Sequence, residues 1–182
     1  MNPQRKKLIA AGMAATATIA VAVAVVTGPA LANHATGFSP SAISFGVFGP
    51  FDVKAEKNDK WKLAIKSHGQ TDLRVTRVSW AAGASSNWHS HPGPNLLTVT
   101  QGSVTEYEGS DPLCTATIYT QGQTFGDNGG SAVHLVRNHT GSPAEVIAVA
   151  FYPHATGTPP VPAPTVTKTR PTNCTAVGAP LH

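Results

Sequence analysis

From Ala42 to Pro153 the chain is a succession of short runs that are β-branched or alternate between apolar and polar residues. Turn residues divide these runs at intervals of about 8–12 positions, the spacing of sandwiches and barrels. The pattern predicts strands over 43–48, 51–56, 61–67, 72–80, 96–102, 103–109, 115–122 and 144–152. No window of helical length keeps a helical period. In 72–80 alternation puts Leu73, Val75, Arg77 and Ser79 on one face and Arg74, Thr76, Val78 and Trp80 on the other. Both faces carry apolar and polar residues, so this strand is expected to be covered on both sides. Glu106 and Glu108 flank Tyr107 on an expected hairpin arm and read as solvated. The fold class is all-β and single-domain: a sandwich, a jelly roll or a small barrel.

The ends differ from the middle. Arg5, Lys6 and Lys7 precede an uncharged Ala/Val-rich run to Val26, and Pro29-Ala30-Leu31-Ala32 supplies an A-x-A cleavage signal. Residues 1–32 therefore read as a secretory signal peptide, and the expected location is secreted, periplasmic or cell-envelope. A retained membrane anchor is the alternative reading. Residues 33–71 read as an N-terminal arm and edge strands, with 33–41 irregular, 72–153 as the barrel, and 154–182 as an extended Pro/Thr-rich tail.

Charge and cysteines change with the leader removed. Of thirteen basic residues three precede Ala32, which leaves ten against nine acidic ones. A near-neutral chain with no basic patch gives nucleic acid no footprint, and no membrane partner is expected after cleavage. An exported protein meets oxidising conditions, so Cys114 and Cys174 are expected to pair. Their bridge would tie the tail to the body across a loop of about 60 residues.

The chemistry lies in "NWHSHPGPN" (87–95). Residues i and i+2 of a strand share a side, so His89 and His91 aim both imidazoles at one place, and Asn95 has their parity. His134 follows the glycine turn of "DNGGSAVH" and opens another apolar strand. Three neutral imidazoles can cap one face of a divalent metal and leave positions open for water or substrate. Asn95 reads as a weak ligand or as a hydrogen-bonder to a bound water or ligand. Trp88 reads as packing beside the site, with substrate stacking as the alternative, and Asn138 as a strand-end hydrogen-bonder. His34, His68, His139, His154 and His182 read as surface residues. No carboxylate stands among these residues, and none presents itself as a general acid or base.

The spacing Gly83, five residues, His89-x-His91, Asn95, Gly102 resembles the first motif of the cupin superfamily, G-x5-H-x-H-x3-4-E-x6-G, with Asn95 in the place of the Glu. His134 and Asn138 match the second motif, G-x5-P-x-G-x2-H-x3-N. There Gly129 stands in the Pro position, Ser131 in the Gly position, and Gly122 lies one residue early. The resemblance covers roughly residues 72–153, and the wider stretch is similar to exported bacterial single-domain cupins. It implies a double-stranded β-helix, or jelly roll, with one divalent transition metal in the barrel mouth. Zinc, copper and nickel are favoured by intrinsic affinity over manganese and iron(II). It also implies a homodimer built through the arm at 43–56. Fold does not fix function. One reading is an enzyme acting on a small molecule through Lewis-acid or oxygenase chemistry. The others are a non-catalytic metal- or ligand-binding protein and a metal-free structural jelly roll.

Overall fold

The computed structural model describes residues 36–57, 59–155 and 165–175. The expected leader 1–32, much of the tail, and His34 and His182 lie outside the described residues. The strands are β1 (Thr36–Phe48), β2 (Phe51–Lys57), β3 (Trp61–Ser67), β4 (Thr71–Ser85), β5 (His89–Ser90) and β6 (Asn95–Gln101). They continue with β7 (Ser103–Glu108), β8 (Thr117–Thr120), β9 (Thr124–Asp127), β10 (His134–Arg137), β11 (Ala144–Pro153) and β12 (Val166–Thr167). A 3-10 turn, Thr172–Cys174, follows. Among the described residues no helix is long and apolar enough to cross a membrane.

All pairings are antiparallel. One layer runs β1-β4-β11-β6-β9 and the other β8-β7-β10-β5-β12, joined where β10 meets the end of β4 at Arg137 and Ser85. Val78, Trp80, Val99 and Val146 of the first layer pack on Val104 and Val136 of the second. The product is a nearly closed jelly-roll barrel. Its interior positions fall in cross-strand rows. Phe45, Arg74, Ala150, Asn95 and Asp127 form the row at the mouth. Ala42, Thr76, Ala148, Leu97 and Phe125 form the next, and Phe38, Trp80 and Ala144 lie at the floor. Polarity thus falls from mouth to floor, and small side chains at Ala42, Ala148 and Ala150 leave a cavity of about 270 Å³.

Four expectations are corrected. Residues 36–41 are part of β1, not irregular: β1 pairs with β4 along its length, and Phe38 meets Trp80 edge-on at 4.7 Å. The ladder to β4 and the Phe38–Trp80 contact override a Gly-Ser-Pro composition, and Pro40 is tolerated because β1 is an edge strand. Thr124–Asp127 is a strand that the pattern did not announce, because only two of its four side chains, Phe125 and Asp127, are buried. The tail is not irregular throughout, since Val166 and Thr167 pair with Ser90 and His89. Glu106 is only 5% exposed, because Val104, Glu106 and Glu108 share the face of β7 that looks inward.

Burial, reinforced by Glu108 and Asp127, pushes Glu106 up to about 7, against a weaker opposing hydrogen bond from Tyr119. The folded protein therefore holds a proton that the unfolded chain has lost once pH exceeds the ordinary carboxyl value. Stability falls as pH rises from about 4.5 to about 7 and stays lowered above that. Glu106→Gln is expected to remove this slope in metal-free protein and to stabilise it at pH 8 by roughly 2–3 kcal/mol. Urea unfolding at pH 5 and pH 8 measures it, and a variant with the wild-type slope would show that Glu106 titrates normally.

Candidate metal centre

The end of β4 sets up the site. Asn87 follows it with φ +58, a left-handed conformation that asparagine tolerates better than most residues. Ser86 is locked to β10 in both directions: its N–H donates to the Val136 carbonyl and its Oγ accepts from the Val136 N–H, each at 3.0 Å. With that anchor, His89 on β5 lies directly across from His134 on β10. His91 follows two residues later, before the Pro92-Gly93-Pro94 turn. That turn is packed against the second glycine turn so closely that a Cβ at Gly129 (φ +63) would lie 2.1 Å from the Gly93 carbonyl oxygen. The Gly130 N–H also donates to the His91 carbonyl at 2.6 Å.

The three imidazoles stand together. Ring centroids are 4.3 Å apart for His89 and His134, 5.0 Å for His91 and His134, and 6.0 Å for His89 and His91. One ligating nitrogen from each falls within 4.8 Å of the others. His89 Nδ1 lies 2.7 Å from the Asn87 carbonyl, and His91 Nδ1 lies 2.6 Å from the Gly93 carbonyl. A carbonyl only accepts, so both Nδ1 atoms carry the proton and both Nε2 atoms are turned toward the cluster. Burial pushes His134 down to about 3, with His89 adding to it and Asp127 opposing, and burial also lowers His89. His89 and His134 are therefore neutral near pH 7, the state that a metal ligand needs.

A carboxylate that the sequence did not reveal lies beside the three-histidine cluster. Asp127, 5% exposed on β9, places Oδ1 2.8 Å from His91 Nε2 and Oδ2 3.8 Å from His134 Nε2. It pairs in register with Asn95, whose N–H donates to Oδ1 at 3.3 Å and whose Nδ2 donates to Oδ2 at 3.2 Å. Asn95 Nδ2 also lies 2.9 Å from His91 Nε2, and its Oδ1 accepts from Tyr152 Oη at 3.0 Å. Asn95 thus faces the cluster, and the absence of a carboxylate expected from the sequence is corrected. A glutamate at position 95 would set two carboxylates against each other, whereas an amide donates to the one already there. Three imidazoles with a carboxylate beside them are donors of a kind that suits a divalent transition metal.

The other expected residues separate from the site. Trp88 packs outside the barrel with Tyr107, Leu135 and the Cys114–Cys174 disulfide, whose Cα atoms are 5.3 Å apart. Asn138 is fully buried and bonds the Ala81 and Ser142 carbonyls, which closes the strand end. His139 is exposed and meets the Tyr107 hydroxyl. His154 is not simply a surface residue, since its Nδ1 lies 2.6 Å from the buried Asp72.

No model of a known protein family matches the chain, and no curated protein matches it. Among solved structures it is similar to BH2720 from Bacillus halodurans, at 24% identity over 47% of this chain and 67% of that one, with a TM-score of 0.40. A cupin superfamily protein from Desulfitobacterium hafniense matches at 10% identity over 57% and 77% of the two chains, TM-score 0.37. A sugar phosphate isomerase from a cupin superfamily of Silicibacter pomeroyi matches at 23% identity, TM-score 0.37; the match takes in 43% of this chain and about half, 49%, of that one. The strand order, register and buried histidine cluster described above make the fold a cupin-like jelly-roll β-barrel with a cluster able to coordinate a metal ion.

Proposed function

We propose that the chain is an exported protein that holds one divalent transition metal through His89, His91, His134 and Asp127 and acts with it on a small molecule inside the barrel. The observation that carries the reading is the pair of backbone carbonyls that hold His89 and His91 with Nε2 turned toward His134, beside a buried carboxylate. When bound, the metal supplies Lewis-acid polarisation or a centre for oxygen chemistry. The chain's own groups do the rest. Asp127 offsets one of the two positive charges. Asn95 bridges Asp127 and His91 and holds both in orientation. Burial pushes Tyr152 up to about 12, so it keeps its proton and donates to Asn95. The rows below the mouth are largely apolar. Metal analysis of protein isolated from its own compartment tests the reading: about one ion per chain, lost on chelation together with thermal stability, is expected. Less than a tenth of an ion, with no thermal shift on adding zinc, copper, nickel, manganese or iron(II), would sink it. The buried disulfide supports export.

The same proposal includes a homodimer. The β2–β3 hairpin is a separate two-stranded sheet with a charged face, where Glu56 meets Lys62 at 3.1 Å and Asp52 meets Lys54 at 3.2 Å. Its other face carries Val53, Trp61, Leu63 and Ile65, of which the first three are 49–58% exposed. A two-stranded hairpin is marginal in water unless its apolar face is covered. β1 adds a long edge with Ile43, Val47 and Phe48 exposed. A second copy supplies both a hairpin face and an edge. Light scattering is expected to give twice the chain mass and Leu63→Lys the single mass; a monomeric wild type ends this part of the proposal.

A further inference from the structure

The charges around the cavity are already matched. Arg74 Nη2 donates to Asp72 at 2.9 Å, with the two side chains 12% and 6% exposed, and Arg74 has partners beyond that pair. The guanidinium carbon lies 5.3 Å from the Phe45 ring and 5.7 Å from the Tyr152 ring. His154 meets Asp72 a second time. Asp127 accepts from Asn95 through both oxygens and lies against His91. A ligand that took either charge for itself would break a buried pair, which is strongly destabilising.

The hydroxyls of the lining are not all engaged. Ser86 Oγ accepts from the Val136 N–H, and Tyr152 Oη donates to Asn95. Thr76, half-buried on β4, has no hydrogen-bond partner for its hydroxyl among the described residues. Its row continues through Ala148 to Leu97 and Phe125, so the hydroxyl and the apolar wall face the cavity from opposite sides of an alanine. Adjacent strands lie about 4.8 Å apart, which puts roughly 10 Å between the Thr76 and Leu97 backbones.

We propose that Thr76 determines the specificity of the barrel, and that the substrate class is uncharged small molecules with a hydroxyl or carbonyl oxygen on an apolar body. The proposal rests on the reading of the barrel as a small-molecule site. The cavity of about 270 Å³ has the volume of roughly nine waters, which sets the size at about ten non-hydrogen atoms. A threonine hydroxyl both donates and accepts, so it takes an alcohol or a carbonyl oxygen equally. With that oxygen at Thr76, the alkyl or aryl body crosses Ala148 to Leu97 and Phe125. Asn95 and Asp127 stand one row above those two, so the apolar end of the ligand is the end beside the histidines. A carboxylate, phosphate or ammonium would enter unpaired, and a polyol would turn most of its hydroxyls to an apolar wall.

Benzyl alcohol, toluene, benzoate and benzylammonium are matched probes that share a ring and differ in the group it carries. Each is titrated near neutral pH into full-length protein freed of metal, with amide NMR shifts reporting both binding and fold. Benzyl alcohol is expected to bind at least about 10-fold more tightly than either ion, which would lose its hydration without gaining a partner. Thr76→Val removes the hydroxyl and should lower the ratio of benzyl alcohol to toluene affinity by about fivefold, the effect of one neutral hydrogen bond. Thr76→Ser should hold that ratio. Ala148→Leu should weaken both neutral probes by filling the cavity. Benzoate or benzylammonium bound as tightly as benzyl alcohol overturns the proposal, whether or not the variants fold, and so does no binding of the neutral probes. An unchanged ratio in folded Thr76→Val, or neutral probes untouched by Ala148→Leu, has the same force. Zinc uptake is measured separately: its absence sinks the metal reading alone and leaves the metal-free titrations to decide this one.

Discussion

His134→Ala is expected to lower metal affinity by more than about a hundredfold, since even hydrogen-bond partners of metal ligands cost 10- to 100-fold. His134 is the member of the cluster whose ring is most enclosed, 2% exposed, and burial keeps it neutral down to about pH 3. A metal held by the two remaining imidazoles and Asp127 would have lost a ligand that no neighbour replaces. Asp127→Asn should be milder, about 10- to 100-fold, because it removes charge and keeps shape. His139→Ala is the control. His139 sits outside the barrel against Tyr107, so its loss should leave metal binding unchanged. Competition against a chromophoric chelator gives the affinities, and circular dichroism checks that each variant is folded. Full metal retention by His134→Ala would refute the assignment of the centre. Unchanged affinity in Asp127→Asn would confine it to the three histidines.

The part of this centre legible in the sequence is the part carried by local periodicity. His89-x-His91 share a face because strands alternate, and the glycine turn before His134 announces a strand start. Asp127 was not legible for a physical reason. It enters the cluster through its register opposite Asn95, and register depends on two turns that meet in space, Pro92-Gly93-Pro94 and Gly129-Gly130. Nothing within Thr124–Asp127 marks it. Glu106 misled in the same way: flanking charge suggests solvent, but β10 and β8 cover both edges of β7, and its parity with Val104 turns it inward. The amide at position 95 is now accounted for. It is the donor that the neighbouring Asp127 carboxylate requires, where a glutamate would face that carboxylate with like charge.

Removing the Cys114–Cys174 bridge, by changing both residues to alanine, is expected to cost roughly 4 kcal/mol, from the loop entropy of its 60-residue separation. For a chain of this size that is a fall in melting temperature on the order of 10 °C. The bridge does more than shorten the unfolded chain. It packs with Trp88, Tyr107 and Leu135 on the outer face of the second layer and pins the 3-10 turn there. From that pin the preceding residues run back so that Thr167 pairs with His89 and the Lys168 N–H donates to the Trp88 carbonyl at 2.8 Å. The tail is thus the outer neighbour of the strand that carries one expected ligand, and loosening it frees His89 before it disturbs His91 or His134. Metal affinity should therefore fall in the double variant, by less than in His134→Ala. Amide exchange should rise first over 165–175 and at Ser90, while β4 and β11 stay protected. Uniform loss of protection across the barrel would mean that the bridge stabilises only through chain entropy. Unchanged melting temperature would mean that the tail is held by its packing alone.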